Sequence, residues 1–177
     1  MGKRSIMRAK ATEIRCSVCG KGSLVQKLID HDVGALLDMK RVVVHNMPAL
    51  VCTKCGSVNM YGGILDQIAL LLAVGILQLQ ELDPVEVRYL RKLIGDTQEE
   101  FAERLGVVRA TVNRWENSSE PVKGPDAYAI RSHAFFRLRD RSPAIEAVAA
   151  AFTTLQPRPR PKRRGYSIEG ATLQPAG

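Results

Sequence analysis

The sequence predicts an α+β chain in which a small β-rich unit precedes an all-helical domain. Three observations indicate this fold class: the cysteines all lie in the first third of the chain among short β-branched runs, a long apolar segment follows, and helical periodicity dominates from there. We therefore divide the chain into a basic arm, a β-rich unit, a connecting helix, a helical domain and a disordered basic Pro-rich tail, with bounds 1–13, 14–63, 64–83, 84–155 and 156–177.

The β-rich unit carries two predicted strands, Leu24–Ile29 and Arg41–His45, which the turn-prone segment Asp30–Gly34 separates. Few apolar residues remain in this unit to build a core of its own. Because a unit of this size usually needs a metal ion or a disulfide to fold, its cysteines are the first place to look for a stabilising bond.

The cysteines form two Cys-x-x-Cys-Gly motifs, at residues 16–20 and 52–56. Each motif supplies two thiolates from one tight turn, and its glycine can adopt the positive φ that lets backbone N–H groups point at sulfur. Zn²⁺ suits four thiolates because it has no redox chemistry and prefers a tetrahedron. The spacing predicts a zinc ribbon with one structural Zn²⁺ ion, a closed shell without a catalytic position, and the ligands Cys16, Cys19, Cys52 and Cys55.

Two other uses of the cysteines stay open. A thioredoxin-like redox pair needs a single Cys-x-x-Cys beside a βαβ unit, which the sequence lacks, and an iron–sulfur cluster is less usual at this spacing. His31 and His45 lie between the two motifs, but four sulfurs already fill the shell. We interpret both histidines as surface or packing residues.

The connecting segment Ile64–Gln80 is apolar on nearly every face of a helix, which predicts burial on more than one side. Packing within one chain and an interface with another protein explain this pattern equally well. Its longest apolar run, Ile68–Leu77, is too short to cross a bilayer, and the polar, basic N-terminus does not resemble a secretory signal. We expect a cytoplasmic protein with no membrane contact.

The helical domain contains a pattern typical of a helix-turn-helix. Thr97 and Glu100 form a capping box at the start of one helix, and Gly106 ends that helix with the backbone turn that glycine favours. Val112 and Trp115 then anchor a second helix inward. Its opposite face presents Arg109, Ala110, Asn113, Arg114 and Asn117.

That face has the chemistry to recognise DNA. Arginine can bind guanine and asparagine can bind adenine in the major groove, and the formal net charge of +8 favours association with a polyanion. The alternative is an ordinary helical hairpin with a solvated polar face. Nucleophile, phosphate-loop and metalloprotease motifs are not found in the sequence, so we expect no enzyme activity.

The segments Thr97–Ala102 and Thr111–Asn117 resemble the Xre family, the phage-repressor type of helix-turn-helix. The resemblance implies a five-helix domain, with helices near 84–94, 97–105, 109–116, 125–138 and 143–153. It implies DNA contacts from Thr97 and Gln98, the latter at the sugar-phosphate backbone, besides those of the second helix. One departure is Val108, which stands where the family often has a serine cap.

The order of motifs, two cysteine pairs followed by an Xre domain, resembles the MqsA-type antitoxins with their YgiT-type zinc finger, over roughly residues 14–138. The resemblance implies a type II toxin–antitoxin repressor: a homodimer that binds a palindromic operator in double-stranded DNA and neutralises a cognate toxin protein. The alternative is a stand-alone zinc-containing Xre-family regulator without a toxin. We expect the two domains to be independent, so that loss of a cysteine ligand leaves DNA binding largely intact.

Overall fold

The computed structural model describes residues 14–142, 166–169 and 172–175. The predicted basic arm and the predicted helix at 143–153 lie outside these ranges. The α+β layout is confirmed, with a β-sheet first and helices after it. The strands are β1 (Leu24–Asp32), β2 (Val42–Cys52), β3 (Val58–Met60), β4 (Tyr166–Glu169) and β5 (Thr172–Pro175); the α-helices are α1 (Ile64–Leu77), α2 (Pro84–Ile94), α3 (Gln98–Leu105), α4 (Arg109–Asn117) and α5 (Gly124–Leu138).

The central strand of the sheet is β2. It pairs antiparallel with β1 along one edge, and along its other edge it pairs antiparallel with β3 and parallel with β4. The first strand is longer than predicted: with a β-bulge between Ile29 and His31, it continues to Asp32, into the first residues of the expected turn. The carboxylate of Asp32 then closes the β1–β2 connection by accepting hydrogen bonds from the N–H groups of Gly34 and Val42.

The tail prediction is wrong for two short segments. Tyr166–Glu169 and Thr172–Pro175 form an antiparallel hairpin, and β4 lies beside residues 42–45 of β2. Ile168 is 1% exposed and belongs to the core. The arginine- and proline-rich stretch 157–164 dominates the composition of this region, and the strands beside it find their partners far earlier in the sequence, where local reasoning cannot detect them.

The apolar faces of α1 are covered within the chain. The helix contacts α2 and α5 in the helical domain and the β4–β5 hairpin of the sheet, and the Tyr89 hydroxyl of α2 donates to the carbonyl oxygen of Ala69 at 2.8 Å. These contacts favour packing within one chain over a separate interface. One continuous hydrophobic core results, which runs from the sheet through α1 into the helices. In the described residues no helix is both long and apolar enough to cross a membrane.

We predict that Leu72→Ala lowers the free energy of unfolding by about 2–5 kcal/mol, because Leu72 is completely buried in α1 and its loss leaves a cavity. The matched control is Leu36→Ala, at a side chain that is 55% exposed, with an effect below about 0.5 kcal/mol. Urea denaturation followed by circular dichroism measures both variants. Equal losses would contradict the core position of α1.

Candidate metal centre and nucleic-acid interface

The side chains of the predicted metal ligands Cys16, Cys19, Cys52 and Cys55 converge at one point of the sheet. Their sulfur atoms all lie within 4.8 Å of one another, with 3.8 Å between Cys16 and Cys55 and 3.7 Å between Cys19 and Cys52. Four sulfurs placed about 2.3 Å from a tetrahedral ion are separated by about 3.8 Å. The cysteines are free thiols rather than disulfides. The cluster can therefore hold a metal ion, and its spacing is consistent with structural zinc.

Backbone turns position the thiols. Gly20 and Gly56 have φ angles of 64° and 71°, as the Cys-x-x-Cys-Gly motifs predict. Each turn closes with a hydrogen bond from the glycine N–H to the carbonyl oxygen of the first cysteine, Cys16 or Cys52. The Lys54 N–H also points at the Cys52 sulfur, 3.4 Å away. Such N–H groups stabilise thiolate charge, which suits a cationic ligand.

Ser57 is a neighbour of the cluster that the sequence analysis missed. Its hydroxyl oxygen lies 3.2 Å from the Cys16 sulfur and 3.3 Å from the Cys55 sulfur. The hydrogen bond with Ser57 is the main cause that lowers the pKa of Cys16 to about 6, and it also lowers the pKa of Cys55. His45 does not join the cluster, because its Nδ1 pairs with the Asp30 carboxylate at 2.8 Å.

Gly22 is a second residue that the motifs do not identify. A Cβ atom at this position would lie 2.5 Å from the Cys52 sulfur and 3.0 Å from the Lys54 backbone nitrogen. Its carbonyl oxygen accepts a hydrogen bond from the Cys16 N–H. Glycine is therefore required here by the close approach of the two cysteine turns.

We predict that Gly22→Ala weakens metal binding, because the new methyl group displaces the Cys52 sulfur from the tetrahedron. Gly62→Ala is the matched control, since a Cβ at Gly62 meets no atom within 4 Å. Titration of the zinc-loaded protein with a competing chelator measures both affinities. Indistinguishable curves for the two variants would be incompatible with the observed packing of Gly22 against Cys52.

The helix-turn-helix is formed by α3, the turn 106–108 and α4. Thr97 caps α3 through the predicted box with Glu100, and Gly106 ends α3 with a φ of 69°. Val112 and Trp115 of α4 are buried, as their spacing predicts. Val108 precedes α4 without a side-chain capping bond. The local sequence signals thus position α4 as the second helix of the motif.

The predicted DNA-contacting residues occupy the outer side of this motif. Five of them are exposed on α4: Arg109, Ala110, Asn113, Arg114 and Asn117. Thr97 is exposed at the start of α3, whereas Gln98 is half-buried and donates from Nε2 to the Glu116 carboxylate at 2.8 Å. Arg109 forms an exposed ion pair with Glu99 at 3.1 Å. The Asn117 amide donates to Asn113 Oδ1 at 2.7 Å, which links two of the exposed residues.

A buried carboxylate, Glu116, holds α4 against α2. It is 3% exposed and accepts two hydrogen bonds from Arg91, at 2.5 and 3.1 Å. Arg88, one turn earlier on α2, donates to the Glu116 carbonyl oxygen at 2.7 Å and to Asn117 Oδ1 at 3.0 Å. No local pattern in the sequence indicates these roles of Glu116, Arg88 and Arg91, because the pairing joins side chains that are distant in sequence.

A second buried carboxylate, Asp96, joins α3 to α5. It accepts a hydrogen bond from Arg104, and its Oδ2 lies 3.0 Å from Nε2 of His133. Burial by itself raises the pKa of Asp96, but the hydrogen bonds with Arg104 and His133 outweigh it and hold that pKa below its ordinary value. Ionised Asp96 therefore stabilises the folded helix-turn-helix.

We predict a loss of stability in acid that depends on Asp96. Because its pKa is lower in the folded state, its contribution is fully present above the unfolded value of about 3.9 and disappears as the pH falls through the folded value. Asp96→Asn removes this contribution and flattens the pH dependence. Asp140→Asn, at a side chain that is 89% exposed, is the control. Urea unfolding between neutral and acidic pH tests the difference; parallel curves for wild type and Asp96→Asn would refute the assignment.

The fold and the site define a helix-turn-helix protein that also carries a four-cysteine cluster. In agreement, residues 87–130 match the family described as helix-turn-helix, HTH_3. The match indicates a DNA-binding transcriptional regulator and implies double-stranded DNA as its ligand. Comparison with curated proteins gave no match.

Proposed function

We propose that the protein is a zinc-containing repressor that binds a palindromic operator as a homodimer. The observation that carries this proposal is the exposed polar face of α4, which lies opposite the buried Val112 and Trp115 within a helix-turn-helix. In such a motif the second helix enters the major groove. Two copies related by a two-fold axis contact half-sites about 10 base pairs apart, which explains why a palindrome is expected.

Each exposed residue has a role in this proposal. Arg109 and Arg114 can bind guanine and Asn113 can bind adenine, while Ala110 offers a methyl contact to thymine. Asn117 adds a further polar contact at the end of α4. Thr97 and Gln98 lie at the start of α3, where side chains and N–H groups contact phosphate. Breaking the Arg109–Glu99 ion pair so that Arg109 can contact DNA costs little free energy, because exposed ion pairs contribute only about 0–1 kcal/mol.

The metal in this proposal is one structural Zn²⁺ ion bound by the four cysteines. Sulfur ligands at tetrahedral spacing are the set that zinc prefers, and they complete its shell. Such an ion contributes folding free energy rather than catalysis. The proposal therefore includes no enzyme activity.

We further propose that the protein is the antitoxin of a type II toxin–antitoxin system. The resemblance in motif order to MqsA-type antitoxins supports this function. So does the surface of the metal-binding unit, which exposes several large apolar side chains that a protein partner can cover: Ile14, Val18, Val25, Leu28 and Leu36. The alternative is a stand-alone regulator. The packing of the sheet against α1 favours that alternative. A cysteine cluster that only stabilises the sheet, and through it the helices, explains this packing without a toxin.

Affinity purification of the tagged protein from its native host separates these functions. A small co-purified protein whose expression alone stops growth, together with DNA from upstream of this gene, supports the antitoxin. Upstream DNA without such a protein supports the stand-alone regulator. Recovery of neither would reject both.

We predict that Asn113→Ala and Arg114→Ala each weaken operator binding by about 1–3 kcal/mol, the contribution of one bidentate base contact. Arg139→Ala removes an exposed arginine from the short helical turn after α5, outside the helix-turn-helix segment, and serves as the control for lost charge. Fluorescence anisotropy with the upstream fragment, measured beside a scrambled duplex, gives affinity and specificity. Equal losses for Arg114→Ala and Arg139→Ala would point to a non-specific charge effect.

A further inference from the structure

Helix α2 contacts both the sheet with α1 and the recognition helix α4, through different side chains. Towards the sheet and α1 it presents Glu86, Tyr89 and Lys92, which bind Tyr166, the Ala69 carbonyl oxygen and Asp38 respectively. Towards α4 it presents Arg88 and Arg91, which bind Asn117 and Glu116. Within each set the residues are three apart, so they are neighbours on the helix surface, and Arg88 lies one turn before Lys92, so the two sets adjoin on α2. A shift of α2 relative to the sheet therefore moves the anchors of α4.

The C-terminal strand β4 supplies the contact to Glu86. Its backbone pairs with residues 42–45 of β2, and the Tyr166 N–H donates to the Arg41 carbonyl oxygen at 3.2 Å. Ile168 inserts into the core. The Tyr166 hydroxyl donates to the Glu86 carboxylate, which is 1% exposed and also accepts from the Asp83 N–H at 2.6 Å. A charge-assisted bond to a buried carboxylate is among the stronger hydrogen bonds in proteins.

Strand β2 joins this contact to the cysteine cluster. Its first residues, 42–45, pair with β4, and its last residue is Cys52, one of the four ligands. Along this strand Val42, Val44, Met47 and Ala49 are buried in the shared core. A metal ion bound by Cys52 would therefore fix one end of β2, and the other end of the same strand holds β4 in register. The structure contains an unbroken path from the cysteines to α4 through β2, β4 and α2.

We propose that the four-cysteine site controls the position of the recognition helix α4, and through it DNA affinity, with Tyr166 as the positioning residue that connects sheet and helix. The part concerning DNA rests on the proposed function above. Release of the metal loosens β2 and withdraws Tyr166 from Glu86, so that α2 loses one of the side-chain bonds that hold it on this side of the protein. Expected coupling between two such sites is about 5- to 150-fold in affinity.

The first measurement uses the tryptophan of α4. The chain contains a single tryptophan, Trp115, which is 6% exposed beside Glu116, so its fluorescence reports on the recognition helix without any DNA. We expect removal of zinc by a chelator to shift the Trp115 emission of the wild-type chain. An unchanged spectrum after complete zinc loss overturns the proposal, because α4 then does not respond to the site.

The second measurement compares DNA affinity with zinc bound and after chelation. We expect wild type to bind the upstream fragment at least about fivefold more weakly without zinc. Tyr166→Phe keeps the ring but loses the hydroxyl, and we expect the ratio between the two states to shrink by about twofold or more. Tyr61→Phe, at an exposed tyrosine, is the control with the wild-type ratio.

These outcomes separate the coupling from the proposed function. If zinc-loaded protein binds neither the upstream fragment nor other DNA while Trp115 still responds to chelation, the DNA-binding function fails and the control of α4 stands. If the protein binds DNA equally well with and without zinc, the coupling fails alone. If Tyr166→Phe and Tyr61→Phe show the same ratio, the role of Tyr166 is rejected.

Discussion

The burial of α1 is the constraint on which the rest of the structure depends. A helix that is apolar on nearly every face must be covered by several elements. Each Å² of apolar surface left in water destabilises the fold by about 25 cal/mol. Here α2 and α5 cover one part and the β4–β5 hairpin another. The sheet that carries the cysteine cluster and the helices of the helix-turn-helix consequently share one core. A chain that looks like two modules in sequence becomes a single packed body.

Buried carboxylates then define how the helices sit on that core. Glu116 fixes α4 to α2, Asp96 fixes α3 to α5, and Glu86 fixes α2 to the C-terminal strand. Removing Arg91 would be costly, up to about 3–5 kcal/mol, because the buried Glu116 carboxylate would lose its cationic partner. Apolar packing alone tolerates sliding between helices, whereas these bonds accept one arrangement. The exposed face of α4 owes its orientation to them.

Local patterns allowed the cysteine cluster and the helix-turn-helix to be predicted, since each depends on spacings within a few residues. The Cys-x-x-Cys-Gly motifs that begin at Cys16 and Cys52 predict their turns, and Thr97 and Gly106 predict the two ends of α3. The C-terminal hairpin, Ser57, Gly22 and the Arg91–Glu116 pair were missed for one physical reason. Their roles arise from contacts between distant segments, which neither periodicity nor composition encodes. The local pattern predicts which side of α4 is exposed. It does not predict the bonds from Arg88 and Arg91 that orient the helix.

A closed four-thiolate site can influence function only through shape, because it has no open position for a substrate or a reacting water. Its binding free energy is therefore folding free energy. In a protein with independent domains that energy would stabilise the sheet alone. Here the sheet shares its core with α1, and β4 carries Tyr166 to α2. We therefore expect part of the same energy to hold Arg88 and Arg91 against α4. Metal binding and DNA recognition would then be coupled through one folding equilibrium. For this reason we expect the fluorescence of Trp115 in α4 to change when an ion is removed from the cysteine cluster.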